Sequence, residues 1–412
     1  MKQQFIHTRI FLALFLLSGT LLMWSCKKDN NDPPSIQRVR PLDPMMKDSA
    51  LKQSLPGVLV VIQGSGFNGL KNVYFNGMDA PFNSALNTDG NITILIPADA
   101  PTAATDPTVP NNVRVVTDHG EATFNFKIVA PAPMITGASN ENAKPGSVIT
   151  LTGTNLYLIN SITFPGNIAA SGFSANAAGT AITVTVPAGV TTGDTIRING
   201  QFGSGKSMFV FDNYLSPTIG FLANFEDNSP YFGWQWWGGI RESNSGTFPN
   251  NTGNYIEVKP SASINAGDGS WYADNRAVMV AAGPWVSTAN LADPIDNYAL
   301  KFEVFVKTPW KNGSIMIVPN GNFNRMARYA PWSESSAGQF QTTGWQTVTI
   351  PLNRFLSGSG NYNPSGTPPS NFAALTGGSN STSLQLMLYN DSTTPLTGFD
   401  AGFDNIRIVK VK

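Results

Sequence analysis

Reactive side chains are scarce in this chain. Its 412 residues include one cysteine, Cys26, and two histidines, His7 and His119. Beyond residue 30 that leaves a single imidazole and no thiol, which argues against a Ser-His-Asp arrangement or a histidine-ligated metal. No phosphate loop or dinucleotide fingerprint occurs, and no pair of cysteines exists to form a disulfide, so stability rests on buried cores. Charge is thin as well: charged residues make up 13% and the formal net charge is zero. A neutral chain has no electrostatic footprint for nucleic acid.

The longest apolar run, Ile10 to Trp24, is broken only by Ser18, Gly19 and Thr20. At about 15 residues it is shorter than the roughly 20 a helix needs to span a bilayer. Lys2 and Arg9 precede it and the small Ser25 follows, the order of a secretory signal that ends in a processing site. Cys26 then fits the lipidated cysteine of a bacterial lipoprotein, anchored by acyl chains that each contribute about 0.8 kcal/mol per buried methylene. Residues 1–25 are expected to be the signal. Residues 26–34, polar and ending in Pro33-Pro34, read as a flexible tether.

What is abundant is turn chemistry, with 39 glycines and 29 prolines, as suits many short strands. An internal repeat is visible. Pro56-Gly57, the apolar run 58–62 and Gly64-Ser65-Gly66-Phe67 are answered by Pro145-Gly146, the run 148–151 and Gly153-Thr154-Asn155-Leu156. Val73-Tyr74-Phe75 pairs likewise with Ile162-Thr163-Phe164, and Val113-Arg114-Val115 with Ile196-Arg197-Ile198. A period of about 90 residues is that of a small β-sandwich. The expected fold is all-β: tandem immunoglobulin-like sandwiches at 35–130 and 131–215, then a jelly-roll at 216–412.

Composition changes after Leu215, and eight of the nine tryptophans lie beyond it. Eight strands are expected there, at 221–225, 255–260, 277–281, 298–307, 314–318, 346–351, 383–390 and 403–411, with a short helix near 353–356. Alternation along 298–307 puts Leu300, Phe302, Val304 and Val306 on a core face. Lys301, Glu303, Phe305 and Lys307 fall on a face expected to be wet. Along 383–390 a second face, Gln385, Met387 and Tyr389, is free to line a cleft.

Tyr231-Phe232-Gly233-Trp234-Gln235-Trp236-Trp237 is the most unusual segment, because three indoles flanked by glycines are hard to bury together. Trp271-Tyr272 follows a Gly-Asp-Gly-Ser turn; Trp285, Trp310 and Trp332 follow prolines, and Trp345 leads into a strand where the core is its expected place. A pyranose face rich in C–H bonds lies flat on the negative face of an indole, and stacking removes apolar area from water. Trp236, Trp237, Trp271 and Tyr272 are the expected platform. Gln235, Asp274, Asn275, Arg276, Gln385 and Asn390 are candidates for hydrogen bonds at the sugar edge.

Two resemblances extend this reading. The repeated motifs over 33–215 resemble the IPT/TIG family of immunoglobulin-like domains, usually spacers or interaction arms. The C-terminal stretch resembles the xyloglucan-binding domain of surface glycan-binding protein B from Bacteroidetes-type polysaccharide utilisation systems. Phe225-Glu226, Gly233 to Trp237, Trp271-Tyr272, Val306 to Trp310, Gly344 to Leu352 and Gly402 to Arg407 carry that likeness. It implies stacking on Trp236 or Trp237 and on Trp271 with Tyr272 beside it, and a non-catalytic lipoprotein of the outer membrane facing the exterior. Implied partners are a polysaccharide, an outer-membrane glycan transporter and a second binding lipoprotein.

Other classes stay open on residues alone. An exposed aromatic patch also suits an adhesin or assembly protein. A glycoside hydrolase needs two carboxyls flanking a bond, and Glu226, Glu242, Glu257, Glu303 and Glu334 are the available C-terminal glutamates. No cofactor is expected, apart from a structural calcium if Glu226 and Asp404 meet.

Overall fold

The structure is a computed structural model that describes residues 32–215, 219–226, 233–234, 240–243, 246–251, 253–357 and 363–412. Cys26 and the segment 1–31 lie outside the described residues, as do Gln235, Trp236 and Trp237. The chain divides into two compact units, 1–130 and 131–412.

In the first unit, alternating apolar residues build two facing sheets. One runs in the order Ser35–Pro41, Leu59–Ser65, Asn91–Leu95, Phe82–Thr88; the other Met78–Asp79, Leu70–Phe75, Asn112–Thr117, Gly120–Asn125. Val60, Ile62, Val73, Phe75, Ile92, Val113 and Val115 close between them as one core.

The second unit opens with the same plan, shifted along the chain. Met134–Ala138, Val148–Thr154, Ala181–Thr185 and Phe173–Ala175 form one sheet; Ile168–Ala169, Ile159–Phe164, Arg197–Gly200 and Gly203–Lys206 form its mate. The repeat extends to a shared bulge. Register slips between Ile36 and Arg38 in the first copy and between Ile135 and Gly137 in the second. Opposite each slip the backbones approach so closely that only glycine fits. A Cβ on Gly64 would lie 1.8 Å from the Ser35 carbonyl oxygen, and one on Gly153 would lie 2.0 Å from that of Met134.

The rest of the second unit is a larger two-sheet sandwich. Its first sheet, among the described residues, orders Ile240–Ser243, Asn254–Val258, Ala401–Lys410, Tyr298–Val306 and Gln346–Pro351, with Phe221–Ala223 also pairing with Ala401–Lys410. Its second sheet orders Gly233–Trp234, Ala277–Pro284, Ser381–Tyr389, Ser314–Pro319 and Ala327–Tyr329. Between them pack Leu300, Phe302, Val304, Val306, Leu384, Leu386, Leu388, Ile315 and Ile317. The eight expected strands are present with shifted ends. The expected short helix is a 3-10 turn, Leu352–Arg354, and a helix not foreseen, Phe372–Thr376, is capped by the Asn371 side chain.

One expectation fails instructively. All nine residues of Tyr298–Val306 are buried, including the face that alternation assigned to water. Phe305 packs with Phe248, Tyr255 and Trp345 on the outside of its sheet. Lys301 and Glu303 enter an ion network with Glu141, which belongs to the preceding immunoglobulin-like module. Period-2 patterning separates two faces of a strand, but it does not say what covers the second.

A candidate glycan-binding face

The second sheet has an outer face that is neither polar nor bare. Ala277, Met279, Met316, Val318, Met387 and Tyr389 point away from the leucine core and form a smaller cluster with Met326. Unbranched methionines fill irregular gaps and adapt to what lies over them. Two aromatics from separate loops, Trp271 and Phe323, are half-buried against this cluster. Gly233–Trp234 pairs at the sheet edge, Trp234 opposite Met279.

The loop carrying Trp271 is held at many points. The Asp268 carboxylate accepts from the Ser270 amide at 2.8 Å and from Arg276 Nη1 at 2.8 Å, while its carbonyl accepts from the Asn390 amide. Burial pushes the Asp268 carboxyl up, but the hydrogen bonds from Arg276 and Ser270 outweigh it and hold the group below its ordinary value. Asp274 accepts from the Ser261 and Ala262 amides at 2.9 and 3.2 Å, and Asp274 and Asn275 both take left-handed backbone. Tyr272 stands 52% exposed, with its ring edge-on to Trp271 at 5.7 Å. One ring thus rests on the sheet while its neighbour meets solvent.

The second loop is fixed from the sheet. Gln385 Oε1 accepts from the Gly321 amide at 2.8 Å, and the Ser383 carbonyl accepts from the Asn320 amide. Exposed Asn322 and Asn324 flank Phe323. Nearby, Arg328 Nε donates to Asp391 Oδ2 at 2.8 Å, and Asp391 Oδ1 is buried without a hydrogen-bond partner. Sequence reasoning missed Phe323. The available signal was a lone aromatic directly after the turn-forming run Asn320-Gly321-Asn322.

Several expected edge donors do other work. Arg276 is buried and turned to Asp268, so it positions the loop rather than facing solvent. Gln385 is spent on Gly321 and Ser383. Asn390 is fully buried, and its amide donates to the carbonyls of Ile264, Asn265 and Thr394. Trp285, Trp310, Trp332 and Trp345 each give the indole N–H to a backbone carbonyl: Thr382, Asn312, Gly313 and Phe248 respectively. Trp285, Trp310 and Trp345 are buried and Trp332 is packed on the core, so these rings serve the sandwich.

The carboxylates expected for other chemistry are likewise engaged elsewhere. Glu303 pairs with Arg407, Glu257 lies 3.6 Å from Lys259, and Glu226 accepts from the Asn254 amide. Asp404 accepts from the amide and side chain of Asn405. Among the described residues no three of His, Cys, Asp and Glu come together as a metal site, and no helix is long and apolar enough to cross a membrane. A cavity of about 670 Å³ lies away from the aromatic face. It follows the seam between the second module and the C-terminal sandwich, where Met208, Ile219 and Lys410 are among its walls. Trp285 is the one indole on it and is buried, so that cavity offers no open stacking surface.

An all-β chain of immunoglobulin-like modules ending in a sandwich with a loop-borne aromatic face belongs to the class of modular ligand-binding proteins. Residues 214–410 match the sequence model of the family described as surface glycan-binding protein B xyloglucan binding domain. Two solved structures share the fold over 92% of the chain. The surface glycan-binding protein B of Prevotella bryantii superposes with a TM-score of 0.64 at 23% identity, covering 99% of that chain. The corresponding protein from a complex xyloglucan utilization locus in Bacteroides uniformis gives 0.52 at 21%, covering all of its chain. A curated relative, an IPT/TIG domain-containing protein of Bacteroides ovatus, is 31% identical over 161 residues. That match spans 39% of this chain and a third (33%) of the relative.

Proposed function

We propose that this protein captures a neutral plant-type polysaccharide, xyloglucan or a related β-glucan, at the cell surface and does not cleave it. The observation that carries the reading is the outer face of the second sheet, where Trp271 and Phe323 lie on a methionine bed and Tyr272 stands beside them in solvent. Flat apolar rings next to exposed amides match a sugar chain, whose C–H faces stack while its hydroxyls seek polar partners. The opposite sheet is covered by Phe248, Tyr255 and Trp345 and by the second module, which favours the methionine side for a ligand. Trp236, Trp237 and Gln235 complete the proposed platform. The match of 214–410 to a family model named for xyloglucan binding supports the choice of ligand.

In this proposal Cys26 carries the lipid anchor in the outer membrane, and the protein passes glycan to a transporter beside a partner lipoprotein. Electrophoresis through gels containing xyloglucan, mixed-linkage β-glucan, mannan or xylan tests the ligand. Retardation by a β-glucan is expected, and free migration in every gel would remove the proposal. Reducing ends released from a bound polysaccharide would turn it into a hydrolase. Acyl labelling of the cell-expressed protein, lost in Cys26→Ala, tests the anchor.

A further inference from the structure

We infer that the second immunoglobulin-like module is no swinging spacer but is locked to the C-terminal sandwich as one rigid body by a buried ion network. Lys301, on the central strand Tyr298–Val306, is 6% exposed. Among the described residues its ion-pair partner is Glu141 and the ring beneath it is Phe209, with its centroid 5.6 Å away; both come from the module. Arg407, on the neighbouring strand Ala401–Lys410, donates from Nη2 to Glu141 at 2.8 Å and from Nη1 to Glu303 at 2.9 Å.

The module contributes further donors and acceptors to the same patch. Asn142 Nδ2 donates to Glu303 at 2.9 Å. The Glu141 amide donates to Thr347 Oγ1, which itself donates to Glu303, and the Ser139 carbonyl accepts from the Thr347 amide. Glu141, Asn142, Lys301, Glu303 and Arg407 are all buried in this seam, and a buried charge is tolerated only where partners satisfy it. Separating the module would strip Lys301 of both its partners and Arg407 of one carboxylate. Such a seam is strongly directional, which fixes the angle at which the sandwich is held.

Chymotryptic cleavage of the full-length protein in the 212–220 connection, followed by mass spectrometry, tests this independently of any ligand. Glu141→Gln and the milder Asn142→Ala are compared with wild type and with Arg197→Ala, an exposed change on the same module. We expect cleavage at least tenfold faster in Glu141→Gln, a smaller acceleration in Asn142→Ala, and none in Arg197→Ala. Collapse of the near-UV circular dichroism of the sandwich in Glu141→Gln would also support the lock, since the altered residue lies in the other module. Wild-type cleavage rates in both seam variants, or equal acceleration by Arg197→Ala, would overturn it.

Discussion

Replacing Asp212 with asparagine removes a carboxyl that the fold keeps out of water. Asp212 is 3% exposed, its Oδ1 has no hydrogen-bond partner, and its amide donates to the Glu141 carbonyl at the module seam. Burial, and secondarily the charge of Glu303, push its pKa from 3.8 up to about 8. The folded protein therefore holds a proton here that the unfolded chain releases across this window. Stability from the group is fully present below 3.8, falls as pH rises, and is gone above about 8. The slope is about 1.4 kcal/mol per pH unit, so raising the pH from 5.5 to 7.5 costs wild type roughly 2–3 kcal/mol through this residue. Asparagine carries no such proton. Urea unfolding of both proteins at pH 5.5 and 7.5, followed by tryptophan emission, measures the difference. Asp212→Asn is expected to gain on wild type by about 2 kcal/mol between the two pH values. An unchanged difference would refute the reasoning.

Other residues give separate tests. Trp310→Ala, which empties a fully buried site against Phe399 and Tyr329, is expected to lower stability by about 3–5 kcal/mol in the same urea assay. Asn390→Ala removes three hydrogen bonds from a buried side chain to backbone carbonyls and should cost roughly 2–3 kcal/mol, with faster hydrogen exchange over 264–271. Gly64→Ala drives a methyl into the Ser35 carbonyl and should lower the melting temperature of the first unit, seen by calorimetry, while the second transition stays put.

Much of the fold was legible because strands advertise themselves in pairs of faces. Leu300, Phe302, Val304 and Val306, and Leu384, Leu386 and Leu388, read as core from alternation and are core. The repeat was legible down to Gly64 and Gly153. Trp345 was rightly assigned to the interior from its place at a strand start. What escaped was tertiary. Lys301 and Glu303 look like a solvated face until Glu141, some 160 positions earlier, is brought against them. Asn390 and Arg276 read as free polar groups, since a sequence does not reveal which loop a side chain will latch. Phe323 carries no indole and sits in no aromatic cluster of the sequence, although its neighbours Asn322 and Asn324 mark the same kind of exposed turn. Trp285 and Trp310 follow prolines, as loop aromatics do, yet their N–H groups find buried carbonyls and their rings fill the core.

Calorimetric titration of wild type, Trp271→Ala and Phe323→Ala with the polysaccharide that retards wild type most directly asks whether the methionine-backed aromatic face holds sugar. Losing one stacked ring is worth about 1–2 kcal/mol, so each variant should bind roughly five- to thirtyfold more weakly while remaining folded at the titration temperature. Undiminished binding by both folded variants would contradict the assignment of that face.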